Sequence, residues 1–485
     1  MSRLVVGPFN RVEGDLEVQL EVEDGRVRSA QVNATMFRGF EQILLQHSPL
    51  DALVYAPRIC GICSVSQSIA AARALASLAG VQPPDNGLAT INLMAATENL
   101  ADHLSHFYLF FMPDFVRPVY AERRWYAAAQ ARFTPGHGSQ QRLALSARKR
   151  LLDLIGTLGG KWPHTGSIHP GGSTRAIDAA ERMRLLMRVR EFRQFLETEL
   201  FASPLERIIG LGSENELWAW LAEAPGQGDL RQFLDIALDS GLEHSGPGPG
   251  RYLSYGAYPQ PDGQMAFPQG VWNGVTQQIE DLELSDIRED AAHAWLDDAG
   301  GPLHPAQGQT QPLVEKPAAY TWNKAPRLAG AVLETGALAR QLISGHPLLR
   351  DAAARCGATV YTRVLARLME LAHVVPLMEQ WLQDLRPGEP YYRTAELPDN
   401  GSAVGLTEAA RGALGHWLRV EQGRIASYQI IAPTTWNFSP RDAQGRPGAL
   451  EQALEGAIVL PGEKTPVAVQ HIVRSFDPCM VCTVH

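Results

Sequence analysis

Cysteine is scarce: 5 in 485 residues, too few for a secreted, disulfide-stapled protein. Long apolar runs are missing as well. Nowhere do about 18 uncharged apolar residues follow one another, and the opening Met1-Ser2-Arg3-Leu4-Val5-Val6-Gly7-Pro8 is too short for a signal peptide. These absences set the expectation of a cytoplasmic protein without a membrane segment, unless a partner carries it elsewhere. Positive charge is in deficit too. Lys and Arg number 43 against 52 Asp and Glu, a net charge of −9, which leaves no basic footprint for nucleic acid. There is no run of like charges, no internal repeat and no low-complexity tract. At 45% hydrophobic and 20% charged residues, what remains is an ordinary globular composition, with a length that allows two to four domains.

Four of the five cysteines form two CxxC pairs at opposite ends of the chain. Cys60 and Cys63 lie in Arg58-Ile59-Cys60-Gly61-Ile62-Cys63, and Cys479 and Cys482 in the tail Asp477-Pro478-Cys479-Met480-Val481-Cys482-Thr483-Val484-His485. The tail adds a carboxylate and an imidazole, and only Cys356 is left over. Pairs so distant converge only if the whole chain folds to bring its ends together, which argues for one unit over 1–485. Soft thiolates suit nickel, zinc, copper or iron-sulfur centres. A closed structural zinc site is one reading, but its pairs usually lie about 15 to 20 residues apart. A chain this long also needs no zinc staple. The alternative, which the spacing favours, is a catalytic metal.

Period-two alternation of Leu16, Val18, Leu20 and Val22, then Asp24-Gly25, then Val27, Ala30 and Val32 predicts an antiparallel hairpin over 15–33. Glu13 sits just before it on a loop, where a solvated carboxylate is the plain reading. Helical spacing begins at Phe40, and an alanine-rich helix over 64–78 would place Cys63 at its mouth, where the helix dipole favours a thiolate. Further helices are expected over 91–112, containing Asp102, over 139–158, over 175–201, and over 336–385 with breaks at 345–347, Gly357 and Pro376. Several long helices imply a bundle. The Gly- and Pro-rich stretch 224–317 reads as irregular with short strands, since Tyr, Phe and Trp recur in it. Residues 424–433 suggest a strand or two, 450–454 a helix, and 467–474 an extended segment leading through Pro478 into the tail 477–485. The expected class is mainly α with peripheral β.

RxCGxC near the start with DPCxxCxxH at the end resembles the catalytic large subunit of nickel-iron hydrogenases. Arg11-Val12-Glu13-Gly14, Arg38-Gly39-Phe40-Glu41, Gly159-Gly160-Lys161-Trp162-Pro163-His164, Lys324-Ala325-Pro326-Arg327, Arg411-Gly412 and Pro433-Thr434-Thr435-Trp436-Asn437 follow in family order. The resemblance implies that Cys60 and Cys479 are terminal nickel ligands and that Cys63 and Cys482 bridge nickel and an iron carrying carbon monoxide and cyanide. It implies that Arg411 and Thr434 hydrogen-bond those diatomic ligands. Cleaving dihydrogen needs a metal to polarise it and a base to take the proton. The family pattern passes that proton from Cys479 to Glu13, with Arg411, Asp102 and Asp477 lining the pocket. Glu41, His485 and the carbonyl of Ile430 match the ligands of a neighbouring magnesium ion. In relatives a C-terminal extension is removed just after this histidine, so a chain ending at His485 is expected to be mature.

With only Cys356 unassigned, this chain holds no iron-sulfur relay, and the family's iron-sulfur small subunit is the expected partner. Gln67 stands where most members have histidine, Ala410 and Ala337 replace prolines, and the chain is compact. Gln67 and the missing export signature resemble the hydrogen-sensing branch, which implies low turnover, a histidine kinase as signalling partner and a dimer of heterodimers. An uptake hydrogenase feeding electrons to a carrier is the alternative. The related subunit of respiratory complex I is a weak third reading, because it lacks the four cysteines. Ile62 and Phe110, the latter placed two helical turns beyond Asp102, match a hydrophobic gas path where many oxygen-sensitive relatives have valine and leucine.

Overall fold

The computed structural model describes residues 2–485. Strands β1 (Ser2–Val6), β2 (Leu16–Glu23) and β3 (Arg26–Ala34) form an antiparallel sheet in that order. The alternating residues Leu16, Val18, Leu20 and Val22 all point into the core, and Asp24 and Gly25 close the turn at left-handed φ of 51° and 71°. The hairpin is as expected; β1 is an addition.

Helix α1 (Ser64–Ala79) starts directly after Cys63 and ends on Gly80, whose φ of 64° makes it a left-handed cap. Four long helices follow the hydrophobic spacing: α2 (Asp85–Ser105), α3 (Ser139–Gly159), α4 (Ala179–Phe195) and, much later in the chain, the helix Val360–Asp384. Each packs against two of the others, so they close into a four-helix ring. Leu151, Leu154, Ile155 and Leu158 show why, as one fully buried stripe of α3 at helical spacing. Helix α2 begins before Ile91, at Asp85 behind Pro84, and passes at His106–Phe111 into π-helical turns. Phe110 therefore lies on a wider turn, not on the α-helical face extrapolated from Asp102. Helix α4 begins at Ala179 rather than Arg175 because Asp178 and Glu181 form a reciprocal capping box there.

The stretch 224–317 is more regular than its composition suggests. It contains helix α5 (Asp229–Ser240) and two nine-residue strands, β4 (Arg251–Pro259) and β5 (Met265–Asn273). Helices Ala337–Ile343 and Pro347–Cys356 precede α6 (Val360–Asp384), which runs unbroken through Pro376. Buried Val374, Val375 and Met378 hold that helix across the lost hydrogen bond. A meander of β6 (Gly401–Ala409), β7 (Gly412–Glu421) and β8 (Arg424–Ile431) follows, of which only β8 was expected. The segment read as extended is helix α7 (Val467–Ser475): Val469, Ile472, Val473 and Phe476 form a buried helical stripe that outweighs its β-branched composition. The class is mixed α+β, and no helix among the described residues is long and apolar enough to cross a membrane.

The cysteine-bearing helix α1 is located by the meander. Gly405 of β6 lies so close to α1 that a Cβ there would sit 2.0 Å from the Ala70 carbonyl oxygen and 2.4 Å from the Ala74 nitrogen. Both neighbours are backbone and cannot swing aside. Gly405→Ala is expected to destabilise the protein by about 1–3 kcal/mol or more. An unfolding midpoint equal to that of the parent would contradict this packing.

Candidate metal centre

Two local structures carry the sulfurs. After the 3-10 turn Ala56–Ile59, Cys60 is extended, the Ile62 amide donates to Cys60 Sγ at 3.3 Å, and Cys63 occupies the N-cap of α1. At the other end Asp477 turns the chain at φ 57° after α7, and the Cys482 amide donates to the Cys479 carbonyl at 3.1 Å. The two turns meet. Sγ separations are 3.4 Å for Cys60–Cys479, 3.2 Å for Cys63–Cys482 and 3.0 Å for Cys479–Cys482, and all four sulfurs lie within 4.8 Å of one another. These distances exceed a disulfide bond, about 2.05 Å, and all four cysteines are free and buried. Hydrogen bonds from Cys479, Cys482 and Cys63 pull the Cys60 thiol well below its usual value, while burial pushes Cys479 up. Without a cation the cluster favours one thiolate among thiols. A soft divalent metal would let all four ionise, and the donor set suits one. Cys356 is elsewhere, half-buried on its own helix, with its thiol on the Ala352 carbonyl.

Arg411 projects from the tight turn between β6 and β7. Its Nε donates to the Asp477 carbonyl at 2.8 Å, Nη2 to Asp102 Oδ1 at 3.1 Å and to Asp477 Oδ1 at 3.2 Å, and Nη1 lies 2.8 Å from Asp102 Oδ2. One guanidinium thus ties α2 to the tail. Two carboxylates share that one cation in a buried site. Burial, together with the Asp477 charge, pushes Asp102 up to about 8 against the pull of Arg411. Asp477 is buried as well, but Arg411 and His106 outweigh that and hold it low.

Glu13 is joined to the tail by backbone: its amide donates to the Pro478 carbonyl at 3.3 Å, and its carbonyl accepts from the Met480 amide at 2.7 Å. Burial pushes its carboxyl up, and the Cys60 charge adds to that against the opposing pull of Arg411. Thr434 lies in the helical turn Pro433–Asn437, and its Oγ1 accepts from the Cys479 amide at 3.1 Å, which leaves its hydroxyl proton free to donate elsewhere.

A second polar cluster lies beside the tail. His485 Nδ1 faces the Cys482 carbonyl at 2.6 Å and Nε2 faces Glu41 Oε1 at 3.2 Å. The Ile430 amide donates to Glu41 Oε1 at 2.7 Å, which brings β8 to this cluster. Lys324 completes the cluster, 3.4 Å from Glu41, 3.2 Å from Glu289 and 2.9 Å from Gln429 Oε1, and Thr310 also bonds Glu41. Burial raises Glu41, but Lys324 and His485 bring it down to about 2.

The residues singled out in the sequence meet here, and several others stand beside them. Lys324 stood in a quoted motif without a role. Glu98, one helical turn before Asp102, accepts hydrogen bonds from the first amides of α1. Gln67 is the partner of His416, whose Nε2 lies 2.8 Å from Gln67 Oε1 and whose Nδ1 lies 2.8 Å from the Tyr428 hydroxyl. For Glu98 the only signal was its i to i+4 spacing to Asp102.

Comparison with known proteins matches the family profile described as nickel-dependent hydrogenase to residues 38–135 and 236–485. The chain is 31% identical to the periplasmic [NiFeSe] hydrogenase large subunit of Desulfomicrobium baculatum, covering 100% of this chain and 95% of that protein. It is 28% identical, at the same coverage, to the uptake hydrogenase large subunit of Rhodobacter capsulatus. A solved structure of the D. baculatum [NiFeSe] hydrogenase overlays with a TM-score of 0.86 at 30% identity over 100% of both chains.

Removing Arg411 would leave the buried Asp477 without the guanidinium that ion-pairs it and Asp102 without its hydrogen-bond partner. Arg411→Leu is expected to cost about 3–5 kcal/mol in denaturant unfolding. A loss below about 1 kcal/mol, the range of an exposed pair, would show that the bridge is not buried in solution.

Proposed function

This chain belongs to the nickel-dependent hydrogenase family and is a hydrogenase, and we propose that it splits dihydrogen heterolytically at a nickel-iron centre held by Cys60, Cys63, Cys479 and Cys482. The observation that carries this reading is the convergence of four free, buried sulfurs within 4.8 Å of one another, with the Arg411 guanidinium within reach of the Cys479 and Cys60 charges. Cys60, Cys63, Cys479 and Cys482 would hold the nickel, and Cys63 and Cys482 would serve the iron as well. When bound, the centre supplies an open Lewis-acidic position that polarises dihydrogen and accepts its electrons.

The protein's share is proton handling and orientation. Cys479 Sγ takes the proton, and Glu13, held opposite Cys479 by backbone hydrogen bonds to Pro478 and Met480 on either side of it, receives it. A carboxyl raised by burial is suited to that exchange near neutral pH. Asp102 and Asp477 fix the Arg411 guanidinium. The Thr434 hydroxyl and Arg411 would supply donors to carbon monoxide and cyanide on the iron. At the second cluster the His485 ring spans the Cys482 carbonyl and Glu41 Oε1. Glu41, His485 and the Ile430 carbonyl would hold a magnesium ion there, with Lys324 behind it.

Electrons leave through a partner, an iron-sulfur small subunit, because Cys356 alone cannot hold a cluster. Exposed Ile43, Leu50 and Val54 on the turns that lead into Cys60 supply part of an apolar face for it. The hydrogen-sensing role, in the cytoplasm with a kinase-type partner, is favoured over uptake by Gln67: fully buried against His416, it accepts a proton bond where a second imidazole would stand in most relatives. Burial keeps His416 neutral, at about 3. A hydrogen-dependent change in kinase activity in the copurified complex, with slow turnover, supports sensing; fast electron delivery to a carrier identifies uptake.

Glu13→Gln keeps the shape and removes the titratable proton. It is expected to stop hydrogen–deuterium exchange while nickel content stays unchanged, and exchange at the parent rate would return Glu13 to an ordinary carboxylate. Cys479→Ser is expected to lose nickel and exchange together, and Cys356→Ser to retain both. Ile62→Val with Phe110→Leu should keep hydrogen cleavage but add oxygen sensitivity if the two side chains narrow the gas path. Each substitution leaves a cavity worth about 1 to a few kcal/mol, so unfolding is measured in parallel.

A further inference from the structure

We propose that Glu98 is a positioning residue for the metal centre, a buried carboxylate that locks the helix carrying Cys63 and raises the electron density its sulfur presents to the metals. The inference rests on the nickel-iron reading above but concerns a residue to which that reading gives no role.

Glu98 is 3% exposed and has no cation within salt-bridge distance among the described residues. Arg148 lies over the ring of Trp162, a donor to Glu98, at 5.3 Å from its centroid. All five groups that touch the carboxylate are donors: the Val65 amide at 2.8 Å, the Ser66 amide at 2.9 Å, Ser66 Oγ at 3.1 Å, Trp162 Nε1 at 3.1 Å and Ser64 Oγ at 3.4 Å. The two amides and the indole can only donate, so a protonated carboxyl would have just the two serine hydroxyls as acceptors, and the shell favours the ionised group. Burial pushes Glu98 up to about 7, and the same donors pull against that rise.

Position gives the charge its consequence. Ser64, Val65 and Ser66 are the first three residues of α1, and Cys63 is its N-cap. The free amides at a helix start carry partial positive charge, which withdraws electron density from a thiolate beside them. Glu98 takes two of those amides and sets a full negative charge behind them, so the withdrawal is offset at the sulfur assigned to the bridge. The same carboxylate joins three segments. It stands one turn from Asp102 on α2, it holds Trp162, and Ser64 in turn accepts from the His164 amide at 3.2 Å. Groups behind a ligand orient it and tune its basicity.

The test uses the purified complex, with infrared bands of iron-bound carbon monoxide and cyanide and nickel content read in the parent, Glu98→Gln and Trp162→Phe. No bands in the parent would overturn the nickel-iron reading itself, separately from this one. With bands in the parent, Glu98→Gln is expected to keep nickel and to move the bands together to higher wavenumber, because less electron density reaches the metals and back-donation falls. Trp162→Phe removes a donor but keeps the charge, and is expected to move them to lower wavenumber. Unmoved bands in Glu98→Gln at parental nickel content would reduce Glu98 to a helix cap and overturn the proposal. Should Glu98→Gln fail to retain nickel, Trp162→Phe decides: a downward shift supports the proposal, and an unmoved or upward band overturns it.

Discussion

Four sulfurs within 4.8 Å of one another are held by a chain that must first bring its two ends together. That closure is the constraint on which the structure depends. Asp114, fully buried, is its fixed point: Arg474 of α7 reaches it at 2.7 and 2.9 Å, Arg117 at 2.9 Å, and Arg11 near the N-terminus bonds it as well. Arg474 also donates to the Asn10 carbonyl and side chain. The backbone completes the closure, since Glu13 pairs with Cys479 and the Arg38 amide donates to the Val484 carbonyl at 2.9 Å. Gly14 is required there because a Cβ would stand 3.0 Å from the Val481 nitrogen at a φ of 79°. A terminus normally frays; this one is buried to its last residue.

A second buried network orients the groups around the sulfurs. Arg340 is fully buried, pairs with both oxygens of Glu370 and with Glu408, and donates to the carbonyls of Ala409 and Ala410, the two residues before Arg411. Glu370 also meets His103, the neighbour of Asp102, at 3.2 Å. The cation over the metal site and the carboxylate that receives it are thus both anchored, at one remove, on a single guanidinium. Breaking such a buried pair costs more than forming it returns. Its value lies in fixing geometry.

The parts of this architecture that were legible in the sequence are those with local chemistry. The Asp24-Gly25 turn, the start of α1 after Cys63, the apolar stripe of α3 and the meeting of the two CxxC motifs all followed from spacing and residue type. What was not legible depended on packing. The run 467–475 is rich in β-branched residues, and only its burial against the core makes it a helix. Strands β6 and β7 carry glycines and polar residues that look like loop until Gly405 is seen against α1. Pro376 continues a helix because its neighbours are buried. Glu98 gave no sign of its surroundings, since its five donors come from segments more than thirty residues away.

The central claim is that the four sulfurs bind nickel as a catalytic metal beside iron, and not zinc as a staple. X-ray absorption at the nickel edge of the purified complex tests it most directly. The account predicts stoichiometric nickel in an all-sulfur shell with an iron neighbour. Zinc in the same four-sulfur shell, or nickel bound by nitrogen and oxygen alone, would contradict it.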